Sequence, residues 1–213
     1  MIVAARVSFA LAVLMAAWMA RQWAARGRKP HHLAWCIGFG FYAAGTLIEG
    51  FLPWTPATLR AYYFVAAFMT AAVLGQGTAY LMFPRRLAHA LAALLAGGGA
   101  GALAACLPVP LQGPMPAAGQ VDLGAVPPAR RAATLPFNLY GLGLLAGGAA
   151  LSIARWRRKD GGGRRVLANA LILLGVLVIG AAGAATKAGA TQVLLVAELL
   201  GLLFLAAGVY AAG

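Results

Sequence analysis

Seven runs of apolar residues, each about the length that crosses a bilayer, are separated by short polar turns, and the turns that carry arginine constrain the fold most. The most crowded of them is residues 154–165, ARWRRKDGGGRR, and another of the same kind is residues 20–32, ARQWAARGRKPHH. Guanidinium groups resist crossing a bilayer, so both turns are expected on the cytoplasmic side, and they set the direction of every helix around them. With 10% charged residues and a mean hydropathy of +0.83, the chain has too little polar surface to cover a soluble globule. It reads as an integral membrane protein. Seventeen lysines and arginines against four acids would suggest nucleic acid in a soluble protein. Here the cations gather in the turns, where they set topology, and no nucleic-acid partner is expected.

The expected spans are residues 7–23 (extended by Ala24 and Ala25), 33–52, 60–83, 87–107, 136–153, 166–186 and 192–210. Positive charge follows the first run instead of preceding it, which marks an uncleaved helix and not a signal peptide. Twelve of the seventeen cations fall in alternate turns: Arg21, Arg26, Arg28 and Lys29, then Arg85 and Arg86, then Arg155, Arg157, Arg158, Lys159, Arg164 and Arg165. Arg6, Arg60, Arg130, Arg131 and Lys187 lie in the others. That bias predicts an all-α bundle of seven transmembrane helices, N-terminus outside and C-terminus inside, multi-pass in the cell membrane. Gly97 with Gly101, and Gly143 with Gly147, are four-residue pairs of the kind that let helices approach closely, within the chain or in an oligomer. The lipid bilayer is a partner of such a chain, with anionic lipids at the arginine-rich turns.

Spans one to three and five to seven repeat one order: helix, arginine turn, helix, short outer turn, helix. Sliding the first set by 134 residues places Ala20 and Arg21 on Ala154 and Arg155. The expected organisation is therefore a three-helix bundle at 1–83, a linker helix at 84–107, an outer connection at 108–135 rich in proline and glycine, and a second bundle at 136–213. The connection is the longest of its kind and the candidate lid. This three-one-three layout resembles that of the SWEET sugar transporters, PQ-loop transporters and KDEL receptors. The Pro-Gln pair that marks the group is absent from the corresponding helices, so the resemblance carries over no binding residues.

Both glutamates, Glu49 and Glu198, fall inside spans, while Asp122 and Asp160 fall in loops. Glu49 is about 24 Å from the inner end of its helix and Glu198 roughly 10 Å from the outer end of its own, so both belong to the outer half. An ionised carboxylate at that depth costs about 2.5 to 3.5 kcal/mol, and each is expected to be protonated, paired or facing water. Trp35, Tyr42, Thr46 and Glu49 share a helical face, as Tyr62, Met69, Gln76 and Tyr80 are expected to do. Asn138 and Ser152 form one polar stripe, and Asn169 and Lys187 another. The candidate ligand or proton-binding set is Glu49, Glu198, Tyr42, Thr46, Gln76, Asn138 and Lys187, with Lys187 as the nearest cation in sequence to Glu198.

No catalytic residue, metal or cofactor is assigned. His31, His32, His89 and Cys36 gather near the inner face, yet their spacing matches no ligand pattern. A retinal Schiff base needs a lysine deep in the last helix, where none occurs. Cys36 and Cys106 belong to opposite faces, too far apart for a disulfide. The functional expectation is a small transporter of a solute or ion, proton-coupled through the intramembrane glutamates. The alternative is a seven-helix receptor or sensor that binds its ligand from outside, and a membrane enzyme is third.

Overall fold

In a computed structural model that describes residues 2–108, 110, 111, 115, 116, 121, 124–159, 162–187 and 194–212, the apolar runs are helical. Helix α1 (Ile2–Ala25) turns into α2 (Pro30–Phe51) through Gly27 and Arg28, both left-handed at φ 74° and 54°. Glycine takes the first of these without a Cβ clash, and Pro30 starts α2 where a backbone N–H would lack a helical partner anyway. The third span opens at α3 (Pro56–Tyr62) with a reciprocal cap, Thr55 Oγ1 accepting from the Thr58 N–H and Thr58 Oγ1 from the Thr55 N–H. It then widens into a π-helical segment (Tyr63–Thr70) before returning to α4 (Ala71–Met82).

Side-chain donors serve the carbonyls of that wide turn. Thr70 Oγ1 donates to the Val65 carbonyl at 2.8 Å, and Asn138 Nδ2 donates to the Ala67 carbonyl at 2.9 Å. The chain continues through α5 (Arg85–Cys106), the short α6 (Pro128–Ala132), α7 (Leu135–Trp156), α8 (Gly163–Lys187) and α9 (Leu194–Ala212). Among the described residues, seven helices are long and apolar enough to cross a membrane, with α3, the π segment and α4 counted as one and α6 with α7 as another. This is the architecture of a multi-pass membrane protein.

Six spans close into a ring, in the order α1, α2, α4, α7, α8, α9 and back to α1, while α5 packs on α4 and the π segment from outside. Successive spans run in opposite directions, which gathers the arginine-bearing turns at one end of the bundle. There the turn after α7 folds back on itself: the Arg165 guanidinium stands 3.8 Å and the Lys159 ammonium 4.7 Å from the centre of the Trp156 ring.

Glycine sets the α4–α7 seam, at positions other than those expected. A Cβ added at Gly141 would overlap the Ala71 carbonyl, and one at Gly75 would come within 2.7 Å of the Gly141 Cα. Seven residues on, Gly148 leaves room for Thr78 and Met82. Gly143 and Gly147 face open space, as do Gly97 and Gly101 of α5, whose Gly98 and Gly99 instead meet Phe137 and Met69. Two full turns separate Gly141 from Gly148, so the helices stay in contact along their length, where a four-residue pair suits a single crossing.

Candidate functional site

The site lies in the half of the bundle opposite the arginine-rich turns, where α1, α2 and α9 meet. Ala5 packs with Ile48 and Leu195 in one apolar layer, and Ala12 with Tyr42, Ala43 and Leu202 in the next. At and between these layers fall Ser8 of α1, Thr46 and Glu49 of α2, and Glu198 of α9. The register is held by α1 itself, because the Arg6 Nε donates to the Gly50 carbonyl at 3.0 Å and its guanidinium sits 5.1 Å from the Phe51 ring centre.

Glu49 is 5% exposed. Its carboxyl group accepts from the Tyr62 phenol and lies against the carboxyl of Glu198. The Tyr42 hydroxyl donates to the backbone carbonyl of Glu198 at 3.1 Å, a second tie between α2 and α9. Thr46 donates its hydroxyl proton to its own helix, at the carbonyls of Tyr42 (3.0 Å) and Ala43 (3.2 Å). Among the described residues, Oε2 of Glu49, Oε2 of Glu198 and Oγ of Ser8 are buried with no hydrogen-bond partner.

The chemistry follows from donor counting. An ionised carboxylate is an acceptor only, so a hydrogen bond between two carboxyl groups requires that one of them carry a proton. Two ionised carboxylates in contact repel, and each separately carries the cost of charge at membrane depth. Two carboxyls so placed can hold one proton between them, and the oxygens left without partners leave room for proton exchange or for a small cation.

Apolar packing covers the site toward the nearer end of the bundle. Val121, from the connection between α5 and α6, is 1% exposed and packs with Ile48, Tyr62, Ala182, Leu194 and Leu195. The Trp54 ring stands edge-on to Tyr62, centres 5.4 Å apart. The short α6 that follows the connection is tied down where the Tyr63 hydroxyl donates to the Arg130 carbonyl at 2.6 Å. In the arginine-rich half the ring instead encloses a cavity of about 390 Å³ with a mostly apolar wall, to which Trp35, Phe39 and Leu74 contribute alongside Thr78, Ser152, Arg155 and Asn169. A packed layer that includes Phe39, Tyr42, Leu74 and Leu202 lies between cavity and carboxyl pair.

The expected residues divide accordingly. Glu49, Glu198, Tyr42 and Thr46 come together. Gln76 does not join them: its Nε2 donates to the Ala88 carbonyl of α5 at 2.8 Å, and its Oε1 accepts from the Tyr140 hydroxyl of α7. Asn138 serves the π segment and its own helix, donating to the Ala67 and Thr134 carbonyls. Its stripe partner Ser152 lines the cavity with Asn169, which donates to the Arg165 carbonyl of its own helix. Lys187 ends α8 with its side chain outside the described residues, as are Thr191, Gln192, Asp122 and Asp160. Among the described residues, Glu49 stands beside the Glu198 carboxyl.

The face shared by Tyr62, Met69, Gln76 and Tyr80 is broken. Met69 meets Gly99, Gln76 bonds Ala88 and Tyr80 bonds His89, all on α5, whereas Tyr62 turns to Glu49 because the intervening π segment has more residues per turn than an α-helix. Tyr62 is the site residue that sequence reasoning missed, and no signal marked it, since the widened turn is not written in any periodicity. Ser8, a lone hydroxyl in an otherwise apolar run, is buried on α1. Comparison with protein-family models, with curated proteins and with solved structures finds no match to this chain.

Proposed function

We propose that this protein is a small proton-coupled transporter of the cell membrane, N-terminus outside, C-terminus and arginine-rich turns inside, with Glu49 and Glu198 as its proton site. The observation that carries the reading is the close approach of two buried carboxyl groups on different halves of the chain, α2 and α9, in the same ring of helices as a central cavity. Two further features support it. Exchanging residues 1–83 with 136–213 maps the ring order onto itself, as two bundles related by an axis along the membrane normal require, and α5 stands outside the ring as a linker would.

In this reading the protonated pair holds α2 to α9 and keeps the outer half shut beneath Val121, while the cavity faces the cytoplasm. Loss of the proton leaves two like charges in contact, which separates the helices and opens the outer half. Solute binding and proton exchange are then linked because each favours the same arrangement. The receptor alternative draws support from the connection packed over the site, where an outside ligand displacing Val121 would reach the carboxyl pair.

Proteoliposomes with an imposed proton gradient and a panel of small solutes provide the test. The wild-type chain should accumulate at least one solute above its equilibrium level. Glu49→Gln and Glu198→Gln should fold and lose that accumulation. Gradient-driven uptake that survives in Glu198→Gln would overturn the proposal.

A further inference from the structure

The cavity in the arginine-rich half has a chemistry of its own. Its volume of about 390 Å³ falls in the range of small-molecule sites, roughly 300–1,000 Å³. Its body is apolar, walled by Trp35, whose indole N–H is already committed to the Leu74 carbonyl at 3.1 Å, so the ring presents carbon to the cavity. Polar groups are confined to Thr78, Ser152, Arg155 and Asn169, and one of these is a cation. Arg155 also lines the adjoining surface cleft together with Arg158 and Lys159, which puts it at the mouth, between an apolar interior and a basic rim.

An apolar chamber with a guanidinium at its entrance selects a ligand with an apolar body and an anionic end. The volume accommodates one short chain or ring system and not the paired acyl chains of a membrane phospholipid. We infer that this cavity binds a single-tailed amphipathic anion, tail against Trp35 and Phe39, with the anionic group at Arg155 and Ser152. The inference rests on the transporter reading only for the statement that this anion is the cargo. Binding itself is independent of the carboxyl pair, which does not line the cavity.

Trp35 supplies the readout. The full chain, reconstituted in zwitterionic nanodiscs, is titrated with a brominated twelve-carbon carboxylate, and with the matching brominated alcohol as control for partition into lipid. Saturable quenching that is lost in Trp35→Phe is expected for the carboxylate. Arg155→Gln should weaken its binding roughly ten-fold, the scale of one charge-assisted hydrogen bond, with the alcohol unaffected. Ser152→Phe, which fills the mouth, should abolish it, while Gly143→Leu, at a position that faces open space away from the cavity, leaves a folded chain that binds as wild type does.

Equal binding of carboxylate and alcohol, or unchanged affinity in Arg155→Gln, would overturn the inference and leave Arg155 as a cation at the C-terminus of α7. Nanodiscs containing phosphatidylglycerol that suppress quenching would overturn it too, by showing that a lipid headgroup occupies the mouth. Carboxylate binding in a Glu198→Gln chain that transports nothing would show the site intact and the coupling lost. Failure of binding with proton coupling intact would refute this inference alone.

Discussion

Two seams of the bundle are held together by opposite chemistry. In the half away from the arginine-rich turns, α2 and α9 are joined by polar contacts, the Glu49–Glu198 carboxyl pair and the Tyr42 hydroxyl, under an apolar cover that includes Val121. Across the ring, α4 and α7 meet through glycine along their length, at Gly75, Gly141 and Gly148, the last of these beside the open cavity of the arginine-rich half. A seam made of packed backbone is indifferent to protons. On the proposed reading, a seam that shares a proton acts as a switch, so the closed half and not the open one is expected to respond to pH.

Removing the switch outright should have the largest effect. Glu198→Leu is expected to abolish proton-coupled uptake and to lower stability by about 1–3 kcal/mol, because Glu49 loses its partner carboxyl. Thermal unfolding in detergent reads the second part, and Glu198→Gln should restore most of it without restoring coupling. A Glu198→Leu chain as stable as wild type would mean that the pair holds nothing together.

The glycine seam should fail differently. Gly141→Leu drives a side chain into the Ala71 carbonyl and is expected to cost roughly 1–3 kcal/mol or prevent assembly, whereas Gly143→Leu, facing open space, should stay within about 0.5 kcal/mol. The same unfolding assay separates them. Equal effects would move the seam.

Accessibility sharpens the contrast between closed and open halves. With Cys36 and Cys106 replaced by alanine, a cysteine at Ser152 should react with a small maleimide well before a cysteine at Val121, which is 1% exposed. Faster reaction at position 121 would reverse the assignment of the sealed half. The smallest effect on stability is expected at Ser8, whose hydroxyl is buried without a partner. Ser8→Ala should be neutral or slightly stabilising, since it removes an unsatisfied group.

Much of the frame was legible in the residues. Apolar length marked the seven spans, and the paucity of acids made Glu49 and Glu198 conspicuous, because a carboxyl at membrane depth needs a reason to be there. What brings them together was not legible. Contact between α2 and α9 is a non-local pairing that helical periodicity, a property of one helix at a time, does not encode. The π segment likewise turns Tyr62 away from Gln76 without a residue pattern to announce it. Gly143 and Gly147 had the expected spacing, yet Gly141 and Gly148 make the seam, because choosing among many glycines depends on the partner surface.

The shared proton is the claim on which the rest depends, and infrared difference spectroscopy of the folded chain in nanodiscs addresses it without knowledge of any solute. A proton held between Glu49 and Glu198 should give a protonated-carboxyl carbonyl band that moves or vanishes in both Glu49→Gln and Glu198→Gln. Absence of the band, or a band unmoved by one of the two substitutions, would contradict a proton shared by the pair.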